Sequence, residues 1–161
     1  MVRIKKMLFY FVIPISVMVL LYINANVLKQ LYGGNETDWV QYRAKISSGV
    51  EKIDLKAGQK TEFEVEINNE GTMTWISSGD HPIYLTYRMK NQTSEEYISE
   101  GKRTALPEAM RPGDSALVMV EIVAPSSAGN YLIVFDMVHE GITWFEEKGS
   151  MPLVIGLKVI K

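Results

Sequence analysis

From Met7 to Leu28 the chain carries no charge, and from Met7 to Ile23 it is apolar almost without a break, Ser16 being the exception. As a helix rising 1.5 Å per residue, Met7 to Leu28 reaches about 33 Å, enough to cross a hydrocarbon core of roughly 30 Å. Pro14 falls inside this run, where a membrane helix tolerates a kink better than a soluble one does. Further along, the pattern turns from continuous to alternating. Phe63, Val65 and Ile67 interleave with Glu62, Glu64, Glu66 and Asn68, which predicts a strand with one face in a core and the other in water. Ile83 to Met89, Ala116 to Ile122, Tyr131 to Val138 and Leu153 to Ile160 predict further strands, with shorter ones at Ala44–Ser48, Glu96–Ser99, Lys102–Leu106 and Ile142–Phe145. Turn chemistry separates them: Asn69-Glu70-Gly71, Ser78-Gly79-Asp80, Arg111-Pro112-Gly113-Asp114 and Ala124-Pro125 through Gly129. About eight short strands at this spacing, with no ordinary helix after Leu28, predict a sandwich or barrel.

The flanks of the apolar run orient it. Arg3, Lys5 and Lys6 precede it and only Lys29 follows closely, so the positive-inside rule places the N-terminus in the cytoplasm and the rest of the chain outside. A cleaved signal peptide is the competing reading, since Ile23-Asn24-Ala25 offers a small-residue cleavage site. The retained anchor is preferred because the run exceeds the roughly 7–15 residues of a signal core. The predicted organisation is a basic tip and transmembrane anchor over residues 1–28, a Gly33-Gly34-containing tether over 29–44, and one domain over 45–161.

Composition narrows the chemistry. None of the 161 residues is cysteine. This excludes a disulfide framework, a cysteine-based zinc site, an iron–sulfur cluster and a thiol nucleophile, and for an exported domain it leans towards a bacterial cytoplasmic membrane. A formal net charge of −2 with interspersed signs argues against nucleic acid as a partner. Asp136, His139 and Glu140 are the nearest approach to an acid–base cluster, but on a strand 136 and 139 point to opposite faces, and Asp136 is better read as bonding backbone near the Glu140-Gly141 turn. His81 lacks a second ligand at metal spacing. No catalytic residue, metal site or cofactor is predicted, and the chain is not expected to be an enzyme.

Binding is the better-supported chemistry. Aromatic rings stack on sugar faces and arginines add directed hydrogen bonds, which singles out Trp75, Tyr84, Tyr87, Arg88, Arg103 and Trp144 as candidate ligand-binding residues. Tryptophans and tyrosines in a sandwich also serve as core, and that alternative stays open for Trp75 and Trp144. Arg88 and Arg103 are candidates to pair with Glu100 or Glu140 across strands. Tyr131, at the start of a late strand after Gly129, is placed like the tyrosine corner of immunoglobulin-like sandwiches, its phenol bonding back to the main chain.

Several motifs fall in a familiar order: Asn68-Asn69-Glu70-Gly71-Thr72-Met73-Thr74-Trp75, His81-Pro82-Ile83-Tyr84-Leu85-Thr86-Tyr87-Arg88 and Gly101-Lys102-Arg103-Thr104-Ala105-Leu106-Pro107. Pro112-Gly113, Ala124-Pro125 with Gly129-Asn130-Tyr131, and Asp136 through Phe145 continue it. The series, over roughly Lys45 to Lys161, resembles an immunoglobulin-like module that accompanies bacterial surface-polysaccharide glycosyltransferases, and more distantly the four-tryptophan (next to BRCA1) domain. The resemblance implies an all-β immunoglobulin-like β-sandwich behind the N-terminal transmembrane α-helix. It further implies a non-catalytic binding or adaptor role outside the membrane, with a glycosyltransferase or other membrane protein, or surface polysaccharide, as partner besides the lipid bilayer. The alternative is a structural subunit that engages partners through its span and a sheet edge.

Overall fold

The computed structural model of the chain describes residues 40–93 and 96–161. The predicted anchor and all of the tether before Val40 lie outside the described residues. Among those described, no helix is long and apolar enough to cross a membrane.

Among the described residues ten strands form two sheets. The smaller sheet has the order β1 (Ala44–Ser47), β3 (Lys60–Asn69), β7 (Ser115–Val123). The larger runs β2 (Lys52–Lys56), β10 (Leu153–Ile160), β8 (Gly129–His139), β4 (Ile83–Asn91), β5 (Tyr97–Glu100); β6 (Thr104–Ala105) also pairs with β4, and β9 (Thr143–Trp144) with β8. Every pairing is antiparallel except β2 with β10, which is parallel from Lys52 opposite Gly156 to Lys56 opposite Ile160. The five longer strands expected from patterning and the four shorter candidates are all present, with ends shifted by up to three residues. β2 is the strand that patterning missed: Lys52-Ile53-Asp54-Leu55-Lys56 is short, and of its two apolar residues only Leu55 is buried.

The two sheets pack face to face with the alternating apolar residues between them. Val65, Ile67, Val120 and Ile122 of the smaller sheet and Leu85, Met89, Ile133, Phe135, Met137, Ile155 and Leu157 of the larger are all but inaccessible. The Phe63 and Phe135 rings stack across the gap at 5.5 Å, so packing joins the sheets where other sandwiches use a disulfide. Each such side chain contributes about 1.5–3 kcal/mol through burial. The core also takes in Tyr42 and Ala44, both 6 % exposed, so packed structure begins before the boundary at residue 45 that composition suggested. Gly71 accommodates this entry, because a β-carbon there would stand 2.3 Å from the Gln41 carbonyl oxygen.

The loops are organised by buried polar groups. Asn69 is fully buried, and its side-chain amide nitrogen donates to the carbonyls of Met73 and Met110 at 2.8 and 2.9 Å while its oxygen accepts from the Gly71 amide at 3.0 Å. One side chain thus shapes the connection that carries Trp75 into the core. At Arg111-Pro112-Gly113-Asp114 the Asp114 amide bonds the Arg111 carbonyl at 2.9 Å, and Gly113 takes the positive φ of 90° that the third turn position requires. Tyr131 donates its hydroxyl to the Ser127 carbonyl at 2.9 Å, closing the corner before β8.

Candidate binding face

The candidate residues separate according to which way β4 points them. Along Ile83–Asn91, the odd positions face the other sheet and the even positions, Tyr84, Thr86, Arg88 and Lys90, face away. Tyr87 is therefore core, 3 % exposed, with its hydroxyl accepting the Val123 amide of the opposite sheet at 3.0 Å. Its ring lies so close to Gly101 that a β-carbon there would come within 2.3 Å. Trp75 is also core: it is fully buried, its backbone exchanges hydrogen bonds with Met110 at 2.8 and 2.9 Å, and its indole meets the Phe145 ring edge-on at 5.5 Å. Neither ring can reach a ligand in solvent. For Trp75 and Tyr87 the structure selects the packing reading over the surface one, because strand parity and the Asn69 loop turn them inwards.

Arg88 and Trp144 do come together. After β8 the chain turns at Glu140-Gly141 and returns as β9, pairing Trp144 with Val138 and Thr143 with His139. Phe145 then points into the core, edge-on to Tyr42 at 5.0 Å, and anchors the return. A single 3-10 turn, Glu146–Lys148, follows. This return puts the Trp144 ring 3.9 Å from the Arg88 guanidinium carbon, and the Tyr97 ring of β5 lies 4.1 Å from the same carbon. Arg88 Nη2 also meets the Glu146 carboxylate at 2.5 Å, which leaves its side chain 12 % exposed. A planar cation between two rings with a carboxylate at its end is a desolvated arrangement that lysine would not reproduce.

Arg103 completes the cluster. It pairs with Glu100 and Glu140, and its guanidinium carbon is 5.4 Å from the Trp144 ring. The expected carboxylate partners thus serve Arg103, whereas Arg88 takes Glu146. Tyr84 shares the outer face, opposite Ala105 and Val138 in register. Tyr97 and Glu146 were not among the candidates. Tyr97 had no signal beyond a short strand, and Glu146 is brought to Arg88 only by the return of the chain.

Asp136 lies beneath this layer, completely buried on the outer side of β8. Its carboxylate accepts the Met137 amide at 2.8 Å and the Glu146 amide at 3.0 Å, so it holds the 3-10 turn rather than the Glu140-Gly141 turn that the sequence suggested. Burial pushes its pKa from the usual 3.8 up to about 7, the two amides and Arg88 working against that rise and the Glu146 charge adding to it. His139 points to the other face. The Tyr42 hydroxyl lies 3.0 Å from its Nδ1, and burial lowers its pKa. His81 stands nearby, ring centroids 6.3 Å apart, with its Nδ1 3.1 Å from the Glu140 carbonyl. Asp136 and His139 are not brought together. Among the described residues no group of three acidic or histidine side chains is placed to hold a metal.

No family model and no curated protein matches the chain. Among solved structures it is similar to the C-terminal domain of Wzt, at 15% identity and a TM-score of 0.48 over 76% of this chain and 77% of that one. It is also similar to the CARDB domain of a Pyrococcus furiosus protein crystallised with di-metal ions, at 13% identity and a TM-score of 0.43 over 73% and 86%. A third likeness is to a β-glucosidase from Listeria innocua in complex with glucose, at 14% identity and a TM-score of 0.42, covering 74% of this chain and 16% of the enzyme.

Proposed function

We propose that this chain is a non-catalytic, immunoglobulin-like adaptor, held by its N-terminal apolar segment at the outer face of a bacterial cytoplasmic membrane. It works with surface-glycan synthesis or export machinery chiefly through protein contact. The immunoglobulin-like assignment is supported by strand order. β1-β3-β7 facing β10-β8-β4 corresponds to strands A-B-E facing G-F-C of that sandwich, and the Tyr131 to Ser127 bond stands at its tyrosine corner. The membrane and glycan parts rest on the apolar run and on the ordered motifs of the sequence. The non-catalytic reading is supported by Asp136, whose carboxylate is sealed and spent on two backbone amides.

The observation that carries the preference for protein contact is the use to which the aromatic residues are put. Trp75 and Tyr87 are core, and Trp144 is occupied by Arg88. A sugar platform needs a bare ring face, so most of the expected platform is structural. One observation favours glycan contact as a second reading: Tyr97 stays 39 % exposed beside Arg88 and Lys90. Cross-linking in native membranes tests both. The full chain is expected to trap a membrane protein of polysaccharide synthesis or export, and purified chain to leave surface polysaccharide unbound. Retention of polysaccharide that Trp144→Ala and Tyr97→Ala abolish would transfer the function to the second reading, and failure of both assays would overturn the proposal.

A further inference from the structure

The smaller sheet carries a different surface. β3 presents Glu62, Glu64 and Glu66 to solvent, and in register beside them β7 presents Glu121, Met119 and Leu117. Leu117 is 64 % exposed and Met119 49 %. β7 is also the end strand of its sheet, and the ladder decides which of its backbone groups are free. Ala124 donates to the Gln59 carbonyl at 2.8 Å and the Asp114 carbonyl accepts from Asn69 at 2.9 Å, so even-numbered positions between them turn their amides to β3 and odd-numbered ones turn theirs away. Val123 follows the rule, its amide reaching the Tyr87 hydroxyl rather than β3. Leu117 and Met119 therefore direct N–H and C=O off the edge on the same residues whose side chains are exposed. Tyr87 and the Lys102–Glu121 ion pair at 3.1 Å close the Val123 end of the edge, and β6 also approaches β7, but no backbone hydrogen bond among the described residues reaches Leu117 or Met119 from outside the sheet.

An unpaired apolar edge is a template for an added strand. Charge specifies which strand fits. Ser47 donates to Glu66 at 3.2 Å, yet no cation among the described residues pairs with Glu62, Glu64 or Glu66. Strands in a sheet are about 4.8 Å apart, so an added strand would lie roughly 9.6 Å from β3. A lysine or arginine on its outer face can lay its aliphatic stem over Leu117 or Met119 and bring its charge to Glu64 or Glu66. We propose that the Ser115–Met119 edge of β7 docks an extended segment of a partner protein with lysine or arginine at alternate positions, which joins the smaller sheet as a fourth strand. This rests on the reading of the domain as a protein-contacting adaptor and assigns it a surface.

The probe is a nine-residue peptide alternating arginine with threonine, with a glutamate–threonine peptide as control, titrated onto the full chain by fluorescence anisotropy. The arginine peptide is expected to bind and the glutamate peptide not to. Amide exchange at Leu117 and Met119 should slow at least tenfold in the complex. The charge-reversed chain Glu64→Lys/Glu66→Lys, altered only at exposed positions, should bind at least tenfold more weakly, and Met119→Pro, which removes an outward N–H, should lose binding. Unchanged affinity in the charge-reversed chain, or protection elsewhere, would overturn the assignment. Self-association that protects Leu117 and Met119 without peptide would overturn it in favour of a second copy of this chain. If a glycan-machinery protein cross-links equally to the charge-reversed chain, the edge assignment fails while the adaptor role stands; if none cross-links but the peptide still binds at the edge, the reverse holds.

Discussion

The two outward faces of this sandwich obey the same alternation and end differently. On the smaller sheet, every second residue of β3 from Glu62 to Glu66 is exposed, and nothing described covers it. On the larger sheet, Val134, Asp136 and Val138 also point outwards, yet they are 3 %, 0 % and 4 % exposed. The difference is the chain returning through β9 and the 3-10 turn, pinned by Phe145 inside and by Asp136 and Arg88 outside. A sheet covered on both faces needs apolar residues on both, which is why Tyr131–Val138 reads as nearly continuous while β3 alternates cleanly. The covered face holds the charges in a fixed array. The bare face leaves them available.

The contrast can be broken most severely at Phe145. Phe145→Ala removes the buried ring that anchors the return and is expected to cost about 3–5 kcal/mol in urea denaturation. Next in size is the pH response of Asp136. Its folded pKa of about 7 lies above the usual 3.8, so the folded state holds the proton more tightly. The stability this contributes is fully present below pH 4 and is lost as pH rises through 7, on the order of 4 kcal/mol at most. His139, with its folded pKa lowered, contributes the opposite slope: stability present above its usual pKa and lost as pH falls through the folded one. Denaturation at a series of pH values should therefore show stability declining from about pH 4 to 7, and Asp136→Asn should abolish that decline. A decline that persists in the variant would remove Asp136 as its source.

Smaller effects follow on the same face and then on the bare one. Trp144→Ala takes a ring from the largely buried Arg88 and is expected to cost about 1–2 kcal/mol, measurable as a lowered melting temperature. Glu64→Gln on the bare face should change stability by less than about 0.5 kcal/mol, because the side chain is exposed and unpaired among the described residues. A loss near that of Trp144→Ala would mean that the bare face is not bare.

Legibility along the chain tracks how local the cause is. β3, β4, β7, β8 and β10 were readable because apolar side chains at period two declare a buried face, and the Pro112-Gly113 turn because few residues other than glycine adopt the positive φ that Gly113 takes. β2 was not readable, since its partner β10 lies about a hundred residues on and only Leu55 of its five residues is buried. At the candidate site, Arg88, Arg103 and Trp144 are gathered together, whereas Tyr87, and Trp75 for which a core role had been left open, lie in the core. Residue type cannot separate those cases. A tryptophan has the same apolar area in a core as on a platform, and only the path of the neighbouring strand decides.

The sequence by itself determined the all-β character of the domain, most of its strands, its turns and the side chains that fill the space between its sheets, because each of these follows from steric and solvation preferences within a few residues. Tertiary structure alone decided that Asp136 is buried and its pKa raised, that Arg88 lies between Trp144 and Tyr97, and that Leu117 and Met119 fall on the end strand of a sheet with their backbone groups directed off its edge. These depend on which segment comes to lie beside which, a matter of long-range packing that the order of residues along one strand does not express.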